Sequence, residues 1–412
     1  MTTFLFDGAR ISDESVDWQQ RLADAYRRRL RPMCSCVADG LPMYIAYYGM
    51  YMLKRMPDTG PQHHPSCDSF EPEAGLSGRG DLGASIQVDA EQRIHVTTNF
   101  SLSKRSRLSE PSLAEPQAPA ASQGLPAPSP RTPKCSLAGL LHLLWDEAGF
   151  NRWHPKMQGK RWQATLHKYL TQEAQRVEVN GIPLAERLYV PEPWRVADKD
   201  AIAERRRQHL AFLDVGEDAE DRPFGLVIGE FLRVDDRFDK LRLFVKHAAD
   251  TPIRISKGQW ERLDDRFRSV LRAASADWSE EQRPYVVIAA VISAARFGTY
   301  QLETASMMLV SHQWIPVESS DEINLVERLV GERRVFSKPL SYGGKSAIKL
   351  PNALLLDCGE KLVHLHYLHP GADEAERAVK LKVVKERATT AWLWDGGASP
   401  TPLPRAARSH NG

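Results

Sequence analysis

Two cysteines one residue apart, Cys34 and Cys36, followed by His63 and Cys67 at H-x3-C spacing, constrain this chain more than any other feature. Three of its five cysteines thus fall within one short N-terminal segment. Thiolates and imidazoles are the ligands of tetrahedral structural zinc. Three sulfurs and one nitrogen fill all four positions and leave none for a catalytic water. Cys34, Cys36, His63 and Cys67 are therefore the expected ligands. His64 competes with His63, and the spacing favours His63. Between the two pairs, residues 41–53 read as two short strands with a turn near Gly49, a hairpin that folds the second pair back toward the first.

The arginines Arg27, Arg28, Arg29 and Arg31, then Lys54 and Arg55, surround this segment and are interleaved with Tyr44, Tyr47, Tyr48 and Tyr51. Basic groups hold phosphates and exposed tyrosines stack on bases. The alternative is that the tyrosines pack a small core and the arginines are a solvated helix end. The net charge of the whole chain is only +2, so nucleic-acid binding has to come from local patches of this kind. No apolar run approaches the ~20 residues of a membrane span, and the start of the chain lacks a signal-peptide pattern. An odd cysteine number, mostly placed as ligands, suits a reducing cytoplasm.

Along the chain the pattern predicts an α+β protein of several domains. A zinc-stabilised module with strand hairpins occupies 1–100, and its amphipathic helix at 14–31 leads into Cys34. A Pro/Ser/Ala-rich stretch without aromatic residues, 101–134, reads as a disordered linker. Residues 135–215 read as two helices and an Asn180-Gly181 hairpin. That order fits a winged helix-turn-helix and equally fits other small α+β units. Residues 216–395 read as a mixed-sheet α/β domain, with the order αβββαβ in 320–395, and 396–412 as a flexible tail. Residues 284–292 are apolar on both faces, which predicts a central strand. There is no P-loop, GxGxxG after a strand, GxSxG or HExxH.

Three resemblances follow from these residues. The opening C-x-C is similar to that of SWIM-type zinc fingers, which close with C-x-H rather than H-x3-C. The C-terminal order resembles the core of PD-(D/E)xK nucleases. Against that family's acidic residue after proline and its E-x-K, this chain has Pro351-Asn352 and His364-Leu365-His366. The resemblance thus implies a divergent or inactive nuclease, with Asp357, His364 and His366 as the remaining candidate catalytic groups and Glu322 or Glu327 as helix-borne carboxylates. His364, His366 and His369 are alternatively a histidine cluster. Finally, Arg31-Pro32-x-Cys34-x-Cys36, Pro42-Met43-Tyr44-Ile45-Ala46, His63-x3-Cys67 and Pro351-Asn352-Ala353-Leu354-Leu355-Leu356-Asp357 together resemble a bacterial family of unknown function encoded on mobile elements. The expected function is zinc-dependent binding of nucleic acid or of another mobile-element protein, without catalysis. A purely structural or protein-interaction subunit is the further alternative.

Overall fold

The computed structural model describes residues 3–407 apart from 48, 58, 90, 106–132, 216–220, 238–239, 297–298, 345, 360 and 397–400. The chain forms two units, Met1–Ser77 with Arg334–Pro339 and Ile348–Gly412, and Gly78–Arg333 with Leu340–Ala347. Helices and mixed sheets coexist throughout, so the class is α+β, as expected.

In the first unit, β1 (Thr3–Phe6) and β2 (Ala9–Ser12) join through Asp7 and Gly8, both left-handed at φ 46° and 83°. That is the twist a two-residue hairpin requires. Helix α1 (Trp18–Arg27) presents Leu22 and Ala25 to the core and is shorter than the expected 14–31. At its start the turns Ser15 N to Ser12 O and Trp18 N to Ser15 O consume the chain. At its end Arg29 is left-handed at φ 55°, and Leu30 N reaches Ala25 O while Arg29 N reaches Tyr26 O. These two bonds are those of a Schellman cap. Then follow β3 (Met33–Cys34), β4 (Leu41–Tyr47) and β5 (Tyr51–Arg55), with Gly49 at φ 76° in the expected turn. The antiparallel sheet runs β2-β1-β3-β4-β5.

A second sheet of this unit runs Ala391–Asp395, Val363–Leu368, Ala353–Leu355, Phe336–Ser337, and Glu374–Glu386 is its helix. Its Leu354 and Leu356 share one apolar cluster with Phe4, Phe6, Leu22, Met43 and Phe70. The core of the N-terminal module is therefore shared with the C-terminal sheet. The last part of the chain completes it, whereas residues 78–100, expected to belong to it, fall in the second unit. The αβββαβ order occurs along the chain, but its first helix, Ser320–Gly331, belongs to the second unit.

In the second unit Ser136 caps helix Leu137–Glu147, its Oγ accepting from Gly139 N at 3.1 Å. Helix Gln163–Ala174 and the hairpin Val177–Val179/Ile182–Pro183 follow. The hairpin is no free wing, because Val177–Val179 pairs in parallel with Ile94–Val96, itself paired with Ile86–Val88. Residues 135–215 are accordingly merged with their neighbours rather than separate. Most of the expected linker lies outside the described residues, but Ser103–Arg105 at its start is a strand paired with Asp221–Pro223.

The largest sheet closes on itself. Gly225–Arg237 pairs with Lys240–Val245, that with Ile253–Ile255, that in parallel with Thr299–Val310, that with Tyr285–Arg296, and that again with Gly225–Arg237. Five strands thus make a barrel, with helix Lys257–Ala274 between its third and fourth strands. The first strand bends to serve two partners. Gly225–Glu230 lies along the fourth strand and Phe231–Arg237 along the second. The apolar run 286–292 is central, as expected. Val287, Ala289 and Val291 pack in one cluster with Leu140, Leu144 and Trp145, while Val286, Ile288, Ala290 and Ile292, on the opposite face by strand alternation, are also buried.

Barrel closure depends on Gly229, at the bend of the first strand. A Cβ there would lie 2.6 Å from Val245 Cγ1 and 3.3 Å from Pro191 Cδ. Gly229→Ala is expected to cost about 1–3 kcal/mol by overpacking, read as a lowered denaturation midpoint for the second unit with metal content unchanged.

Candidate metal centre

Cys34 ends β3, where Phe4 of β1 and Leu41 of β4 flank it in register, so the strand holds its sulfur inside the core. Cys36 follows just before the turn closed by Gly40 N to Val37 O, with Gly40 at φ 65°. His63 caps a short helix, Gly60–Gln62. Cys67 closes a turn whose bond is Cys67 N to His64 O at 2.8 Å. Gly60 is needed here, since a Cβ would meet Glu71 Cβ at 2.5 Å.

These four residues converge, with all ligand atoms within 4.8 Å of one another. Cys34 Sγ lies 3.6 Å from Cys67 Sγ. His63 Nδ1 lies 3.3 Å from Cys36 Sγ and 3.7 Å from Cys67 Sγ. His63 rather than His64 faces the sulfurs. His64 Nδ1 is turned to Ser66, 2.8 Å from its Oγ. Cys34, His63 and Cys67 are buried and Cys36 is half-buried.

Cys67 Sγ accepts from Ser69 N at 3.4 Å, and the nearby backbone amides of Cys36 and His64 act to lower Cys34 and Cys36. Such amides favour thiolates and fix ligand orientation. Among themselves the thiols share protons. The hydrogen bond between Cys34 and Cys67, together with burial, pushes Cys67 up to about 12, while the same contact lowers Cys34. Burial raises Cys36. Three thiolates this close repel one another, and a divalent cation removes that repulsion. The group is thus able to hold a metal ion, and it offers four protein ligands with no open position.

The neighbouring basic residues divide into two sets. Arg28 is tied to Asp7 at 2.6 Å and Asp24 at 3.4 Å, Arg27 to Asp24 at 3.6 Å, and Arg55 to Glu71. Arg29 and Arg31 are exposed and have no carboxylate partner among the described residues. Tyr26, Tyr51 and Tyr47 form a ladder with centroids 5.4 and 4.8 Å apart, and its two end rings are exposed. Tyr48 lies outside the described residues. Sequence reasoning missed Gln19, whose side chain pairs with the backbone of edge strand β5. Tyr51 N donates to Gln19 Oε1 at 3.0 Å, and Gln19 Nε2 donates to Tyr51 O at 2.9 Å. No periodic pattern marks a glutamine for that role.

The C-terminal candidates are placed differently. Asp357 is clamped by Arg334 at 2.9 and 2.7 Å and also accepts from Val335 N. Asn352 Oδ1 accepts from Tyr367 N. Glu322 accepts from Glu318 N at the start of its helix, and Glu327 is half-buried, its carboxyl raised to about 7 by burial. His364 and His366 are buried on the strand Val363–Leu368, while His369 Nδ1 accepts from Gly371 N. Among the described residues the only group of metal-holding geometry is the N-terminal one, so the three histidines do not gather into a cluster.

Burial pulls His364 down to about 4 and His366 down to about 3, against about 6.5 in an unfolded chain. Below about pH 6.5 the unfolded state binds protons that the folded state refuses, so this stability is complete above that pH and is lost as pH falls toward 4 and 3. His366→Leu is expected to move the acid-unfolding midpoint, followed by circular dichroism, to lower pH. An unchanged midpoint would show that these imidazoles do not limit acid stability.

Among the described residues no helix is long and apolar enough to cross a membrane. No curated protein and no solved structure matches the chain. One family model does, over residues 4–397, nearly the whole length and including all four converging ligands. The chain belongs to the family described as protein of unknown function (DUF1173).

Proposed function

We propose that this chain is a structural-zinc protein that binds nucleic acid, with the ion held by Cys34, Cys36, His63 and Cys67. The observation that carries the zinc assignment is the set of ligand separations. Bonds of about 2.3 Å to sulfur and about 2.0–2.1 Å to nitrogen give tetrahedral edges of about 3.8 Å between sulfurs and about 3.6 Å between sulfur and nitrogen. The separations here are 3.6 Å for the sulfur pair and 3.3 and 3.7 Å for sulfur and nitrogen. Soft thiolates with one imidazole select zinc over hard cations. The closed ligand set makes the ion's role architectural. The free thiols fit a reducing, cytoplasmic setting. A role in mobile-element maintenance rests on the family resemblance of the N-terminal motifs alone.

Nucleic acid is favoured over a protein partner by exposed Arg29 and Arg31, which have no carboxylate partner among the described residues, in a module that also exposes the Tyr26 and Tyr47 rings. The nuclease reading gains no comparable support. Asp357 is committed to Arg334, and Asn352 and His364-Leu365-His366 stand where hard-cation ligands are needed.

Protein purified without chelator is expected to carry one zinc ion per chain by elemental analysis. Cys34→Ser should weaken retention by more than about a hundredfold, since loss of an outer-shell partner alone costs about 10–100-fold. Metal binding should release protons, because Cys67 and Cys36 hold theirs at neutral pH, so affinity should rise with pH. Metal-free protein with an intact first unit would end the zinc reading.

For nucleic acid, anisotropy titrations with labelled oligonucleotides at low salt should show binding that weakens as salt rises. Arg29→Ala with Arg31→Ala should flatten the salt dependence, and Mg²⁺ should produce no cleavage. Absence of binding at low salt would leave the protein-partner reading. Cleavage lost in Asp357→Ala would restore the nuclease.

A further inference from the structure

The barrel of the second unit has a specific connectivity. Numbering its strands in chain order, the ring runs first, second, third, fifth, fourth and back to first. Only the third and fifth strands are parallel, a helix lies between the third and fourth, and the first strand bends to pair with two neighbours. This is the Greek-key arrangement of the oligonucleotide/oligosaccharide-binding barrel, whose ligands lie across the outer face of the second and third strands. A fold alone assigns no ligand, so the face itself has to carry the assignment.

On that face the register aligns four strands in one row. Asp235 lies opposite Arg242, Arg242 opposite Arg254, and Arg254 opposite Gln301. Strand alternation sends Leu243, Val245, Ile253 and Ile255 inward, where they are buried, and leaves Arg242 and Arg254 exposed. Asp235 is engaged by Arg233, whose Nε lies 2.9 Å from both its oxygens. Neither Arg242 nor Arg254 has a carboxylate partner among the described residues. Like charges directly opposite one another on adjacent strands destabilise a sheet. In the next position out, the Arg233 guanidinium lies over the half-buried Phe244 ring, 4.4 Å from its centroid. The face thus combines two adjacent cations that form no ion pair among the described residues with an aromatic ring covered on one side by a planar guanidinium.

We propose that this face, centred on Arg242, Arg254 and Phe244, binds single-stranded nucleic acid. The two arginines take successive phosphates, and Phe244 offers a surface to an unstacked base. A chain of phosphates relieves the repulsion that the fold leaves in place. A duplex hides its base faces and offers Phe244 no base to stack on, so single strands are preferred. The ligand class rests on the nucleic-acid reading above, but the site is separate from the zinc module.

The test uses the full-length, zinc-loaded chain, with fluorescence anisotropy on a labelled mixed-sequence oligonucleotide, single-stranded and as its duplex, across a salt series. Single strands should bind at least about tenfold tighter than the duplex. Arg242→Ala with Arg254→Ala should flatten the logarithmic salt slope by about 1.4, at about 0.7 per phosphate of a single strand. Phe244→Leu should weaken binding about tenfold or more with the slope unchanged. Arg254→Ala alone should hold or raise the melting temperature, so any loss of binding is not a loss of fold. Single-strand binding untouched by these variants but lost in Arg29→Ala/Arg31→Ala overturns the barrel site and keeps the zinc module as the contact. The opposite pattern keeps the barrel and removes the module. Equal affinity for duplex, or for dextran sulfate, overturns the single-strand assignment. Absence of any binding removes both readings.

Discussion

Three sulfurs and an imidazole held within 4.8 Å of one another are a constraint that the first unit has to satisfy electrostatically. Thiolates at that separation repel, and thiols at that separation leave most of their hydrogen-bonding capacity unused in a buried place. Nearby backbone amides, Ser69 N on Cys67 at 3.4 Å among them, favour the charged forms against the burial that raises Cys36 and Cys67. A divalent cation bound there would complete that design and tie β3, the turn to Gly40 and the Gly60–Cys67 segment together. The β4–β5 hairpin, which begins one strand away from Cys34, inherits its position from that knot.

Much of this was legible in the sequence, because metal ligands announce themselves by type and spacing. The H-x3-C interval singled out His63, and the ring orientation agrees, with His64 turned to Ser66. The Gly49 turn, the Asn180-Gly181 hairpin and the buried run 286–292 were also readable, since turn chemistry and two-faced apolarity are local signals. The ends of α1 were not. The Schellman cap at Arg29 uses a non-glycine residue in a left-handed conformation, and no composition rule marks it.

Long-range pairings stayed hidden for a different reason. Nothing local in Ile253–Ile255 says that it joins Thr299–Val310 in parallel, yet that pairing turns five ordinary strands into a closed barrel. Likewise Leu354 and Leu356 read as one more apolar strand, and only the fold reveals that they complete a core begun at Phe4. Asp357 illustrates the converse case. Its position in the chain suggested chemistry, while its geometry shows a carboxylate committed to Arg334. Arg242 and Arg254 were invisible as a pair, because their adjacency exists only once the register is set.

The shared core of the first unit has a consequence for how the chain is made. One part, up to Ser77, is synthesised before the second unit, and the rest, from Arg334 on, emerges only after most of that unit. Phe4, Leu22 and Met43 therefore wait, with their apolar surface incompletely covered, until Leu354 and Leu356 emerge. Folding of the intervening unit shortens the effective loop that joins the two ends, which lowers the entropic cost of bringing them together. The Cys/His group draws only on residues 34–67, so an ion bound there during synthesis would hold that segment together, away from chaperones and proteases, until Leu354 and Leu356 arrive.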